Sequence, residues 1–263
     1  LDIAVHLLIL TWWLTQQNMT RNITCNAKLD LANDTFDDQY EGCAEEMEGK
    51  SPQLLKEELE ANQYLKTEWE KAEQRWKQIK NIVSYSKQFN DFHGTAIVAY
   101  TGDIATKFNR AVREFCQNPD NFQFKAFLYY LTRAPQLLNP GKCYTVYRGC
   151  KSKFNYSGKG NVCFGQFASS SLFKNTAASP SFSGETLFAI RTCLGVYIKA
   201  FSYYPNEEEV LIPGYEVYQA TTRENTNKIY NIILLGSPQK SKSNFNCFYH
   251  KSIKNLFNFN SSG

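Results

Sequence analysis

The sequence predicts an α+β fold, a helical N-terminal region packed on a C-terminal mixed β-sheet core. Two observations predict it. Residues 51–138 carry apolar positions at steps of three and four. After residue 140 the chain turns to short runs rich in Val, Ile, Phe and Tyr, punctuated by turn residues. Helices first and strands second, without strict alternation, is the α+β order. The 263 residues, 43% hydrophobic and 15% aromatic, are enough for a substantial core and exclude a disordered chain.

The elements follow in order. Residues 1–14 form an apolar stretch of signal-peptide length, shorter than the roughly 20 residues of a membrane span. A buried N-terminal helix is the alternative. Residues 1–32 read as signal-peptide remnant and glycosylated leader, with sequons at Asn18, Asn22 and Asn33; Asn155 and Asn260 begin two more. Ser51-Pro52 is a helix start. Leu55, Leu59, Asn62, Leu65, Trp69, Ala72, Trp76 and Ile79 then mark the buried face of one helix of about seven or eight turns. Both Trp residues on it are expected in the core. A second helix is expected from His93 to Phe115 and a third from Phe122 to Leu138, ended by Asn139-Pro140-Gly141. Strands are expected at Cys143–Arg148, Asn161–Phe167, Thr186–Thr192, Val196–Phe201, Glu209–Ile212 and Tyr215–Thr221. Residues 33–250 thus read as one domain, helical over 51–140 and strand-rich over 141–250, with 251–263 as a tail. The small residues of Asn260-Ser-Ser-Gly resemble those preceding a lipid-anchor cleavage site, so a secreted form and a lipid-anchored form both fit.

Composition narrows the chemistry. A net charge of +4 with no Lys/Arg block excludes the usual nucleic-acid binder. Three histidines, His6, His93 and His250, argue against a multi-histidine metal site. Eight cysteines without a C-x-x-C pair point to disulfides of an oxidising compartment rather than to zinc or thioredoxin-type chemistry, and spacing alone leaves their pairing open. Phosphate-binding glycine loops, H-E-x-x-H and G-x-S-x-G are absent.

Acid–base work therefore falls to carboxylates. Glu207-Glu208-Glu209 abuts an apolar strand, and extended geometry would turn Glu207 and Glu209 to one face and Glu208 to the other. Taken alone, the triplet reads as a solvated acidic loop. Arg148 closes a strand and is followed by Gly149: a guanidinium recognises a diphosphate bidentately, and glycine permits close approach of a ligand. Ser169-Ser170-Ser171 ends another strand. The ordered set of strand-end Arg, strand-end Ser and E-x-E is far more specific than any member.

That set, Arg148, Ser169 and Glu207-x-Glu209, resembles the R-S-E-x-E signature of the vertebrate arginine-specific ecto-mono-ADP-ribosyltransferases, in particular their lymphocyte-surface group. Phe36-Asp-Asp-Gln-Tyr-Glu-Gly-Cys43, Asp91-Phe-His-Gly-Thr-Ala96, Leu194-Gly-Val-Tyr197 and Val210-Leu-Ile-Pro213 resemble further segments of that family, over about residues 33–250. The resemblance implies an ADP-ribosyltransferase-like fold, and NAD+ as co-substrate without a metal. It implies transfer of ADP-ribose to arginine on extracellular proteins, by an enzyme that is secreted or on the outer face of the plasma membrane. Glu209 would stabilise the cation at the ribose C1′, Ser169 would orient Glu209 or the ribose, Arg148 would clamp the diphosphate, and Glu207 would receive the acceptor guanidinium. Phe182 would pack on nicotinamide, or else belong to its loop's own core. Asn109 and Arg113 would reach the nucleotide, and Tyr100, Gly149, Gln166 and Ser202 would line the same cleft. Family disulfides correspond to Cys43–Cys247 and Cys143–Cys193; the first closes a loop worth roughly 5 kcal/mol on chain-entropy grounds. Cys25, Cys116, Cys150 and Cys163 depart from that pattern and their pairing stays open; a Cys150–Cys163 bridge across a hairpin and free thiols are both compatible with the sequence. An NAD+ glycohydrolase on the same scaffold and a silent extracellular binding module are the alternatives.

Overall fold

The computed structural model of the protein describes residues 29–154, 156, 160–223, 230–239 and 241–249. Within them the helices precede the sheet, as expected. Helix α1 (Ala44–Ala61) begins ahead of Ser51-Pro52, which falls inside it. Glu45 and Glu46 occupy its first turn, where carboxylates offset the exposed N–H groups, so the start lies there rather than at the proline. The apolar stripe from Leu55 to Ile79 is two helices, not one. Between α1 and α2 (Gln63–Ile79) stands Asn62, extended at φ −125°, ψ 91°, with its side chain accepting the Leu65 N–H at 3.1 Å. The stripe's polar entry is an N-cap.

The helix expected over 93–115 also divides, into α3 (Asp91–Tyr100) and α4 (Ile104–Arg113). The Thr101 hydroxyl donates to Val98 O at 2.8 Å and closes α3 before Gly102 turns the chain. Helix α5 (Lys125–Leu138) starts where buried Glu58 of α1 accepts the Lys125 and Ala126 N–H groups, the second at 2.9 Å. That carboxylate satisfies orphan donors of the helix terminus. The helices enclose an aromatic core in which Trp76 is fully buried and stacks on Phe201, ring centroids 5.5 Å apart. Trp69 is buried as well. Gly94 lets α3 press on Trp76: a Cβ there would stand 2.3 Å from the indole.

Among the described residues, eight strands form a single mixed sheet: β1 (Tyr144–Cys150), β2 (Asn161–Val162), β3 (Ala168–Ser171), β4 (Thr186–Thr192), β5 (Val196–Tyr197), β6 (Glu209–Ile212), β7 (Val217–Arg223) and β8 (Asn231–Gln239). A short helix, α6 (Lys174–Ala177), follows β3. The sheet order is β2-β7-β8-β4-β1-β3-β6-β5, with β4 and β8 parallel and the other pairs antiparallel. The strand expected over 161–167 is only β2, and the one over 196–201 only β5. Strand β8, which the sequence reading does not name, lies between β7 and β4 and buries Ile233 and Leu235.

The Phe36–Cys43 segment acts as a clasp for the chain's return. Asp37 accepts the Asn244 N–H at 2.7 Å, and Asp38 accepts those of Cys247 and Phe248 at 2.9 and 2.8 Å. The Cys43–Cys247 disulfide locks it, and Cys143–Cys193 joins the start of β1 to the end of β4. Of the readings left open for the other cysteines, the Cys150–Cys163 bridge does not form: Cys150 is disulfide-bonded, while Cys163 is a buried free thiol and Cys116 an exposed one. Cys150 ends β1 and Cys163 follows β2, and the sheet order places β7, β8 and β4 between those strands. The two are not neighbours across a hairpin. Asn33 is exposed in a turn. Cys25, the sequons at Asn18, Asn22, Asn155 and Asn260, the apolar opening and the 251–263 tail lie outside the described residues. No helix among the described residues is long and apolar enough to cross a membrane.

Candidate active site

Three adjacent strands bring the signature together. In the order β1-β3-β6, Arg148 comes from β1, Ser169 from β3 and Glu209 from β6, with Tyr147 in register with Ser171 and Ser171 with Glu209. A cleft is lined by Arg148, Gly149, Ser169, Phe182, Glu207 and Glu209, together with Tyr147, Ser170, Ser171, Thr176 and Ala177. The last five were not singled out in the sequence. The serine run hinted at two of them, but Thr176 and Ala177 carry no local signal.

Charges in this cleft are deeply placed. Arg148 is 5% exposed and Glu209 1%. The Arg148 Nη1 donates to Ser169 O at 2.6 Å, which ties the guanidinium to the neighbouring strand. The Ser202 hydroxyl donates to Glu209 Oε2 at 3.1 Å, so one carboxylate oxygen is oriented from behind. Gly149 serves a close approach of backbone: a Cβ there would lie 2.1 Å from Ala177 O and 2.9 Å from the Phe182 carbonyl. Glycine at this position lets the loop bearing Phe182 fold onto β1 and form the cleft wall.

Glu207 and Glu209 share the cleft for a different reason than strand alternation. Glu207 ends a 3-10 turn (Pro205–Glu207), Glu208 is left-handed at φ 49°, ψ 52°, and β6 begins only at Glu209. A left-handed residue with a side chain costs about 1–2 kcal/mol. Ser171 Oγ donates to Glu207 O at 2.6 Å and Leu172 N–H to Glu208 O at 3.1 Å, which pins the turn to the end of β3. The Glu208 side chain pairs with Lys199 and Tyr197. Lys199 first, then Tyr197, holds its carboxyl below the usual range.

Five expected site residues are not among those lining this cleft: Ser202, which meets Glu209 from behind, and Tyr100, Asn109, Arg113 and Gln166. The Tyr100 hydroxyl donates to Phe167 O at 2.9 Å, and Asn109 Nδ2 donates to that hydroxyl at 3.0 Å and to Phe167 O at 3.3 Å. Both side chains are buried and brace the entry to β3. Arg113 donates to the Gln166 amide oxygen. Burial pushes the Arg113 guanidinium below its usual pKa. Among the described residues, no group of three or more His, Cys, Asp or Glu is placed to hold a metal.

Comparison with known proteins gives one answer. The family model described as NAD:arginine ADP-ribosyltransferase matches residues 29–243. The chain is similar to T-cell ecto-ADP-ribosyltransferase 2 of Mus musculus, 59% identical over 97% of this chain and 88% of that protein. It is 41% identical to ecto-ADP-ribosyltransferase 5 of Homo sapiens, over 84% of this chain and 80% of that protein. Among solved structures it superposes on a mutant of the eukaryotic mono-ADP-ribosyltransferase ART2.2 in complex with NAD. There the TM-score is 0.80 at 58% identity, covering 85% of this chain and 100% of that one. Matched along its helices, its sheet and its cleft-bearing strands, the chain belongs to the NAD:arginine ADP-ribosyltransferase family.

Proposed function

We propose that this cleft transfers ADP-ribose from NAD+ to arginine side chains of extracellular proteins, with the roles divided as follows. Glu209 stabilises the oxocarbenium-like cation that forms at the ribose C1′ as nicotinamide departs. A carboxylate 1% exposed and oriented by Ser202 acts there at low dielectric and with no reorganisation. Arg148 clamps the diphosphate, its fork already fixed by Ser169 O. Ser169 orients Glu209 or the ribose, and Phe182 lies against the nicotinamide. Glu207 lines the same cleft and receives the acceptor guanidinium, taking its proton as the new C1′–N bond forms. Tyr100, Asn109 and Gln166 support the entry to β3. Arg113, whose hydrogen bond goes to a neutral amide, is a second cation for the dinucleotide, whose phosphates would offset its burial.

The observation that carries this reading is the convergence of Arg148, Ser169, Glu207 and Glu209 on one cleft from three adjacent strands and the turn before the third. The disulfide Cys43–Cys247, the exposed sequon Asn33 and relatives named ecto-enzymes support action outside the cell, from a secreted form or a lipid-anchored one at the outer face of the plasma membrane. The test is incubation with labelled NAD+ and agmatine. Wild type is expected to form ADP-ribosyl-agmatine, and Glu207→Gln to lose that product while still releasing nicotinamide. Undiminished agmatine transfer in Glu207→Gln would remove the acceptor role from Glu207.

A further inference from the structure

Glu208 stands between the two cleft glutamates but is not among the cleft-lining residues. It is held from three sides. Lys199 Nζ takes one carboxylate oxygen and the Tyr197 hydroxyl the other. Its own carbonyl accepts the Leu172 N–H at 3.1 Å, and the preceding carbonyl, of Glu207, accepts the Ser171 hydroxyl at 2.6 Å. Tyr197 is itself fixed in register opposite Val210, next to Glu209. The Glu208 side chain is 16% exposed and that of Lys199 43%, so the pair lies at the surface, and its hold on Glu208 rests on two donors meeting both carboxylate oxygens rather than on burial.

The backbone explains what this anchoring is for. At φ 49°, ψ 52° Glu208 occupies a region that a residue with a Cβ adopts where its surroundings impose it. That left-handed step sets the direction of Glu207 relative to Glu209. An ordinary extended residue there would re-aim Glu207, because the chain would continue the pleat of β6 instead of turning. The anchoring groups come from the β5 strand and the segment behind it, outside the reacting cleft, and so are separable from the chemistry.

We propose that the Lys199–Glu208–Tyr197 contact is a positioning device that aims Glu207 at the acceptor and thereby sets how much ADP-ribose goes to arginine rather than to water. The inference rests on the reading of Glu207 given above. Both outcomes begin identically: the C1′–N bond to nicotinamide breaks, and nicotinamide leaves neutral with the bonding pair. In transfer, an acceptor guanidine nitrogen donates its lone pair to C1′ and gives up a proton to Glu207. In hydrolysis, a water oxygen bonds to C1′ and its proton goes to solvent. The partition is decided by which nucleophile is held in place, which is the step that the aim of Glu207 controls.

The test is a partition measurement on the whole enzyme: ADP-ribosyl-agmatine formed, divided by nicotinamide released. Lys199→Met and Tyr197→Phe are expected to lower this fraction, Lys199→Met by about tenfold, short of the roughly hundredfold that a full 1 Å misplacement of a reacting group costs. Nicotinamide release without agmatine is expected to stay near wild type. Lys199→Arg, which keeps the charge and a donor, is expected to restore the fraction. Transfer and hydrolysis falling in parallel, or an unchanged fraction, would overturn the proposal. Glu207→Gln in the same assay separates the two ideas. If it lowers the fraction and Lys199→Met does not, the positioning device alone falls. If it leaves the fraction unchanged, the acceptor reading falls and the device with it.

Discussion

The helical region buries Glu58 to 6% exposure and the sheet buries Glu209 to 1%, yet their surroundings differ in kind. Both Glu58 oxygens accept backbone N–H groups at the start of α5. Burial outweighs those donors and pushes its carboxyl up to about 7. Glu209 is met by a side-chain hydroxyl and opens into a cleft shared with Arg148 and Glu207. A buried carboxylate whose two oxygens both accept backbone donors holds two elements together, whereas Glu209 lines a cleft that a ligand can enter. Burial alone therefore does not mark a functional carboxylate; a place in the wall of a cleft does.

The largest effect that tests this contrast is at Glu209. Glu209→Gln keeps shape and one acceptor but removes the charge, and should lower nicotinamide release by about 10³-fold, the scale of a lost transition-state partner. Thermal unfolding should be unchanged or slightly raised, since a buried charge is gone. A variant that keeps activity within a few-fold of wild type would break the distinction.

Glu58→Ala should do the reverse. It leaves the α5 donors unpaired and should cost about 2–3 kcal/mol in urea unfolding, with kcat intact where the protein is folded. The pH dependence sharpens the test. With its folded pKa raised to about 7, Glu58 contributes stability that is full below the unfolded carboxylate range and is lost as pH rises through about 7. Asp37, also raised to about 7 by burial, contributes with the same sign. Unfolding free energies measured from pH 4.5 to 8 should fall for wild type and fall less for Glu58→Gln. An identical slope in both would show that Glu58 does not titrate on folding. The smallest effect is at Asn62: removing this cap should cost about 1 kcal/mol and leave the partition between transfer and hydrolysis untouched, as calorimetry and the agmatine assay would show.

Legibility was uneven for reasons particular residues make plain. Trp69, Trp76 and the stripe around them announced a helical core, because a helix must bury one face and its period is local. The same stripe concealed the break at Asn62, since an N-cap and a polar position in a helix look alike in sequence. Strands β4 and β6 were readable as compact apolar runs. Strand β8 carries an equally apolar run, Ile232-Ile233-Leu234-Leu235; what its residues do not encode is its place between β7 and β4. For the site, Arg148, Ser169 and E-x-E carry a signature, whereas Thr176 and Ala177 reach the cleft because the short helix α6 packs back over Gly149. Ser171 and Lys199 act through single hydrogen bonds to the E-x-E turn, which no spacing rule encodes.

The sequence by itself determined the α+β order, the carboxylate chemistry and the family signature, because periodicity, charge type and ordered motifs are properties of neighbouring residues. Only the tertiary structure decided that β1, β3 and β6 lie side by side, that Cys150 and Cys163 stand apart across the sheet, and that Glu207 reaches the cleft through a left-handed Glu208. Strand order, long-range pairing and a strained turn are set by contacts between segments distant in the chain, and those contacts exist only once the core has closed.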